Sequence, residues 1–275
     1  MNKNQKGFGV VEVILIVLAI FVFLVILGTV AGKNQSKTSN KSTTAAKTAP
    51  PKPSLYTTAV WAGYLKYSND INKHMTSVSA AWNVPSATLA DNMQLSSNWI
   101  GIGGYEGKDP KGLIQMGTDS DTGLIDNGVR VNYYKAFWEC FPGASERIAG
   151  FTINAGDAIQ ANIAKAGADW AMTLTDKTSG QTFQKTVACS PEPHTAEWIL
   201  EDVGPPGQSA GTQGVLPRLS PTTFSNLKAN GKAPGLANMI QFNMTSDGTP
   251  KGTTIVAPSN LTGNGSSFTM SDARP

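Results

Sequence analysis

The chain has 275 residues, 28 of them Gly, with short β-branched and aromatic runs set between Gly/Pro/Asn/Asp turns and no long stretch of 3.6-residue apolar period. This excludes a helical bundle and favours one large all-β domain with attachments. The net charge of +3 hides an asymmetry: residues 1–54 carry seven Lys and one Glu, so the rest of the chain sums to −3, and a slightly acidic domain without a Lys/Arg cluster argues against nucleic acid as a partner. With Cys140, Cys189, His74 and His194 as the only Cys and His, no Cys/His metal site can be assembled, and neither metal nor cofactor is expected. The cysteines fit a disulfide in an exported protein and two buried thiols equally well.

Residues 1–7 form a short basic leader, and residues 8–31 a nearly continuous apolar segment, "FGVVEVILIVLAIFVFLVILGTVA". At about 1.5 Å per residue this segment is long enough to cross a hydrocarbon core of ~30 Å, and it reads as a membrane anchor. The stretch "QKGFGVVEV" resembles a type IV prepilin signal, in which a basic leader ends in Gly, Phe follows, and Glu stands fifth: here Gly7, Phe8 and Glu12. A carboxylate inside a lipid-spanning segment is costly, which gives Glu12 weight. The amphipathic stalk of a pilin does not follow. Residues 32–54 are instead a Ser/Thr/Lys/Pro-rich linker with nothing to bury. Prepilin-type processing and an uncleaved anchor both satisfy the sequence. Either places residues 55–275 outside the cytoplasm on a tether, with the membrane as one partner and pilus-type assembly machinery as a conditional second.

From Tyr56 onward strand candidates recur at short intervals: "AVWAGYLKY", "TSVSAAWNV", "NWIGIGG", "GLIQMGT", "YYKAFWECF", "RIAGFTI", "DAIQANIAK", "WAMTLTD", "QTFQKTVA" and "AEWILED". Many short strands with turns between them predict a sandwich or barrel, and two packed antiparallel sheets are the expectation. In "TAEWILED" the Trp-Ile-Leu centre favours a strand, whose alternation puts Glu197, Ile199 and Glu201 on one face. A solvated sheet face is the ordinary explanation for such carboxylates.

"VWAGYL", "AAWNVP", "NWIGIGG", "GLIQMGT", "AFWECFP", "INAGDAI" and "AEWILED", in that order, resemble the glutamic peptidases, or eqolisins, over most of residues 58–228. The resemblance implies a sandwich of two seven-stranded antiparallel sheets, a concanavalin-like jelly roll, with a catalytic Gln and Glu on a concave face. By motif the Gln falls on Gln115 and the Glu on Glu201, with Glu197 a neighbour on the same face. Trp99 falls on a cleft tryptophan, for which core packing is the competing role. Asp119 falls on an acidic residue after the Gln, Glu139 on a carboxylate near the dyad, and Phe137 where fungal members carry Trp. Two positions depart: Gly103 stands where the fungal pattern has Asp, and Cys140 where it has a second aromatic.

These residue types define a reaction without Ser, Cys or metal. A carboxylate in a partly desolvated cleft takes a proton from water and returns it to the leaving amine, while an amide N–H holds the developing oxyanion. The resemblance therefore implies a membrane-tethered acid endopeptidase acting on polypeptides through a monomeric catalytic domain. Glu139 beside Glu201 is expected to form a like-charge pair that raises one pKa. Three other readings compete. "GQSAG" at 207–211 matches a nucleophile elbow but has no later His. "EWILE" has the outer carboxylates of a sandwich glycoside hydrolase, or of a carbohydrate-binding relative, but Ile199 at its centre. Its Glu positions lie about 13 Å apart along a strand, against about 5–5.5 Å in a retaining pair. Lastly, an inactive surface-binding or minor-pilin module suits the leader but leaves the Gln/Glu pair unused.

Overall fold

The computed structural model describes residues 52–68, 70, 73–105, 112–125, 128–204 and 213–275. The expected leader and anchor, most of the linker and the stretch around Ser209 lie outside the described residues. Among those described, no helix is long and apolar enough to cross a membrane.

Fifteen strands form among the described residues: β1 (Ser54–Thr58), β2 (Trp61–Tyr67), β3 (Ser77–Asn83), β4 (Ser96–Gly103), β5 (Leu113–Leu124), β6 (Arg130–Phe141), β7 (Glu146–Arg147), β8 (Ala158–Ala166), β9 (Asp169–Asp176), β10 (Thr182–Val187), β11 (Thr195–Asp202), β12 (Thr222–Ala229), β13 (Met239–Thr245), β14 (Thr254–Pro258) and β15 (Phe268–Asp272). Their hydrogen-bonded order is β10-β9-β8-β3-β12-β15-β14-β13-β2-β11-β4-β5-β6-β7, with β1 beside β13. Split at the β13–β14 pair, this order gives seven strands to each layer, and β3, β8 and β9 pack over β4, β5 and β11. The β1–β13 pair is parallel and departs from the all-antiparallel expectation.

The two layers differ in a way the sequence explains. β3, β8 and β9 alternate buried and accessible residues, as strands with one face on the core and one toward solvent do. β4 is buried at every position, and β5 and β11 almost so. Both of their faces are covered, one by the inter-sheet core and the other by a second apolar cluster of Leu65, Trp99, Leu113, Phe137, Ile199, Ile240 and Phe242. That second cluster floors the concave face. In the main core Trp82 stacks on Phe224 and Phe224 on Phe268, with centroids 5.3 and 5.4 Å apart. Each such side chain contributes roughly 1.5–3 kcal/mol by leaving water.

Two expectations change. Of "RIAGFTI" only Arg147 is in a strand, as the second residue of β7; Ile148, Phe151 and Ile153 reach the core from irregular backbone, so its apolar content reflects burial rather than a strand. Four further strands follow Asp202, where Ser, Thr, Asn, Gln and Lys interrupt the apolar runs of β12, β13 and β15, and β14 spans only five residues. The cysteine alternatives resolve in favour of a disulfide: Cys140 and Cys189 are bonded with Cα atoms 5.9 Å apart, and Cys140 packs against the inter-sheet core.

Candidate active site

β11 lies between β2 and β4, with β5 and β6 beyond β4, and these pairings keep continuous register through the site. Side chains on the concave face therefore stand in rows across the sheet. One row runs Trp61, Glu201, Ser97, Asp119, Lys135; the next Gly63, Ile199, Trp99, Gly117, Phe137; the third Leu65, Glu197, Gly101, Gln115, Glu139. All six residues expected at the site, Trp99, Gln115, Asp119, Phe137, Glu139 and Glu201, share this face. Gln115 and Glu201 stand on opposite sides of β4, and the Trp99 row separates theirs.

Trp99 is fully buried in the second apolar cluster, on the face that also carries Glu201. Its indole Nε1 donates to Glu201 Oε2 at 2.8 Å, and Trp61 packs edge-on against it at 5.3 Å. Gln115 Nε2 donates to Glu139 Oε2 at 2.7 Å. An amide nitrogen has two hydrogens, so this bond orients the group and leaves a second donor. Ser97 Oγ donates to Asp119 Oδ1 at 2.5 Å, and Lys135 Nζ lies 2.8 Å from Asp121 Oδ2 and 3.9 Å from Asp119 Oδ2.

The carboxyls are tuned mainly by burial. Burial pushes Glu201 up to about 7; the Trp61 and Trp99 indoles oppose the rise, and the charges of Glu139 and Asp119 add to it. Asp119 also rises to about 7, through burial first and Asp121 second, against Ser97 and Lys135. Burial raises Glu139 while the Gln115 amide pulls it back. The expected like-charge effect of Glu139 on Glu201 is thus present but secondary to desolvation.

Glu197 corrects the solvated-face reading. It shares the face of Glu201, as alternation predicts, but is fully buried, and among the described residues neither carboxyl oxygen meets a donor in hydrogen-bond geometry. Thr195 is near enough only to temper the rise that burial causes, and the carboxyl lies well above its ordinary range. Over Gly101 the Trp99 ring, Leu113 and Glu197 converge: a β-carbon there would sit 2.8 Å from Trp99 Cζ3 and 3.3 Å from Glu197 Oε2. Only a residue without a side chain admits all three.

The unbroken β11 register also bears on the glycosidase reading. Without a bulge, Glu197 and Glu201 stay about 13 Å apart along the strand, too far for a retaining pair. Trp61, Ser97, Asp121, Lys135 and the burial of Glu197 were not found from sequence, since each joins the site through cross-strand register. Among the described residues no three His, Cys, Asp or Glu converge as a metal site.

A family model described as the Peptidase A4 family matches residues 59–270. The chain belongs to that family. Scytalidopepsin B of Scytalidium lignicola is 29% identical over 147 residues, covering 52% of this chain and 51% of that protein, so the match spans about half the length of this curated relative. In fold the family member described here resembles scytalido-glutamic peptidase solved with a transition state analog inhibitor, with TM-score 0.61 and 22% identity over 78% of this chain and 98% of that one. It also resembles SCP-B, a member of the Eqolisin family of peptidases solved with the tripeptide Ala-Ile-His, with TM-score 0.55 and 21% identity over the same shares.

Proposed function

We propose that this Peptidase A4 member is a membrane-tethered glutamic endopeptidase in which Glu201 is the general base and Gln115 the oxyanion donor. The observation that carries the reading is a buried carboxyl with a pKa of about 7, held by the Trp99 indole on the sheet face that also presents the Glu139-anchored Gln115 amide. Glu201 as carboxylate takes a proton from water, and the water oxygen bonds to the scissile carbonyl carbon. The carbonyl oxygen, now negative, receives the second Nε2–H of Gln115. Collapse breaks the C–N bond as Glu201 returns its proton to the leaving amine. Leu113 and Phe137 give the substrate an apolar floor, with Phe242 packed beneath Trp61 and Tyr105.

A base with a pKa near 7 is mostly protonated in acid, which displaces the expected acid optimum toward neutrality. The kcat/KM of the wild type should rise about tenfold per pH unit below 7 and level near it. Glu201→Gln keeps shape and removes the base, and should abolish cleavage without altering the fold. Gln115→Glu keeps size but donates only when protonated, so its activity should fall further as pH rises. Cleavage of a denatured protein by Glu201→Gln at wild-type rate would sink the mechanism.

The tether rests on the apolar 8–31 segment and the 32–54 linker, and the Cys140–Cys189 disulfide suits an oxidising compartment. Cell fractionation tests the membrane location, and N-terminal sequencing distinguishes a chain beginning at Phe8 from one keeping its leader.

A further inference from the structure

The concave face does not end at the Glu201 row. β5 and β6 continue past Asp119 and Lys135 for five further residue pairs, Ser120↔Tyr134 to Leu124↔Arg130. On β6, Tyr134 packs into the inter-sheet core and its hydroxyl accepts from the Ala87 N–H at 3.3 Å, while Asn132 Nδ2 donates to the Ala87 carbonyl at 2.7 Å. Both side chains point inward. Alternation therefore sets Tyr133 and Val131 on the concave face, in line with Lys135, Phe137 and Glu139.

Tyr133 is 39% exposed. Opposite Val131 stands Gly123, which offers no side chain, and Met93, 62% exposed, borders it with its Cα 3.4 Å from where a β-carbon would lie. Ile125, 39% exposed, extends the apolar surface toward the hairpin end. An apolar strip thus lies on the catalytic sheet face, separated from the proposed dyad only by the polar group of Asp119, Asp121 and Lys135.

Distance gives the strip a reading. The scissile bond belongs between the Gln115 and Glu201 rows, nearest the Gly117–Phe137 pair. Tyr133 stands four residues farther along β6 and Val131 six, about 13 and 20 Å at ~3.3 Å per residue. A substrate held extended alongside these strands advances by the same rise. We propose that Tyr133, Val131 and Met93 form a distal subsite that takes an apolar side chain of the polypeptide substrate four to six residues from the cleaved bond. The occupant is substrate rather than lipid or a second copy because the strip continues the reaction cleft on one sheet face and at matching rise. The inference rests on the endopeptidase reading. It implies that remote binding energy favours long, unfolded substrates over short peptides.

The test compares the full-length chain with its Tyr133→Ser, Val131→Thr double variant on two peptide sets. One is a hexapeptide spanning the cleaved bond. The other is a fourteen-residue peptide with Leu or Ser four to six residues from that bond, on either side in turn. Wild type should prefer the long Leu peptide about tenfold in kcat/KM, through KM, on one side only. The double variant should lose that preference and cleave the hexapeptide as wild type does. Equal Leu and Ser peptides for wild type, or a double variant impaired on both lengths alike, overturns the subsite. Fluorescence anisotropy of the same peptides separates the two failures. Leu-dependent binding without cleavage defeats the peptidase reading and keeps the strip, whereas neither binding nor cleavage defeats both. Concentration-dependent dimerisation or vesicle binding that the double variant abolishes, with peptide preference unchanged, assigns the strip to another partner and overturns the proposal.

Discussion

Glu197 and Gly103 show how single positions set the character of the cleft floor. Among the described residues no cation or well-aligned donor meets the buried Glu197 carboxyl, and Thr195 only tempers the effect, so its neutral form is favoured in the fold while the unfolded chain ionises freely. Burial raises its folded pKa well above the ordinary value, so this group lowers stability progressively as pH rises from about 4.5 toward the folded pKa. Glu197→Gln keeps the shape and removes the titration. It should melt with wild type at pH 4 and above it at pH 7, as scanning calorimetry would show; a lower melting temperature at pH 7 would mean that Glu197 is ionised and paired. Gly103, where the fungal pattern has Asp, has φ +89, and a β-carbon there would lie 2.5 Å from the Gly112 carbonyl oxygen and 2.9 Å from that of Glu192. The backbone leaves no room for any side chain. Gly103→Asp should therefore destabilise the fold by roughly 1–3 kcal/mol or more instead of adding a functional carboxyl, measured by denaturant titration.

At the scale of elements, the disulfide joins β6, which carries Glu139 and Phe137, to the segment leading into β11, which carries Glu201. Its half-cystines are 49 residues apart, and closing a loop of that length stabilises by about 4 kcal/mol in the chain-entropy view. The Cys140→Ala, Cys189→Ala double variant should unfold at clearly lower denaturant, and wild type should match it after reduction. An unchanged midpoint would mean that β6 and β11 are fixed by sheet pairing alone. The strands were readable where their patterns were strong: "TSVSAAWNV" and "WAMTLTD" alternate, and they fold as β3 and β9 with one face on the core. "NWIGIGG" and "AEWILED" read as strands too, but nothing local reveals that their outer faces are covered; that follows from Leu65, Ile240 and Phe242 arriving from β2 and β13. The site was legible in the same measure. Face parity grouped Glu197 with Glu201 and Phe137 with Glu139, whereas Ser97 bonding Asp119 and Lys135 bonding Asp121 depend on register between strands, which no single segment encodes.

For the whole molecule, these buried carboxyls turn the cleft into a determinant of pH stability. Glu201 and Asp119 rise to about 7, Glu197 rises well above its ordinary value, and Asp202 on the opposite face of β11 rises to about 6, each chiefly through burial. Below about pH 3 such groups hold protons in both states and cost nothing. As pH climbs through the ordinary carboxyl values the unfolded chain releases its protons while the folded one keeps them, so stability falls until the folded values near 6 and 7 are passed. A single carboxyl raised from 4.5 to about 7 accounts for about 3 kcal/mol over that window. Asp272, held low by Arg274 despite its burial, works in the opposite sense, but its gain is complete once pH exceeds its ordinary value of 3.8. Above pH 4 the raised carboxyls therefore decide the slope. The melting temperature should peak near pH 4 and drop by roughly 10 °C or more by pH 7, since 1 kcal/mol corresponds to about 2–4 °C in a domain of this size. Potentiometric titration of folded against unfolded chain gives a second measure, with more protons bound to the folded state between pH 5 and 7 by about two or more. A melting temperature flat from pH 4 to 7 would show that water or ionic partners satisfy these carboxyls, and would remove the desolvation that places the proposed base near neutrality.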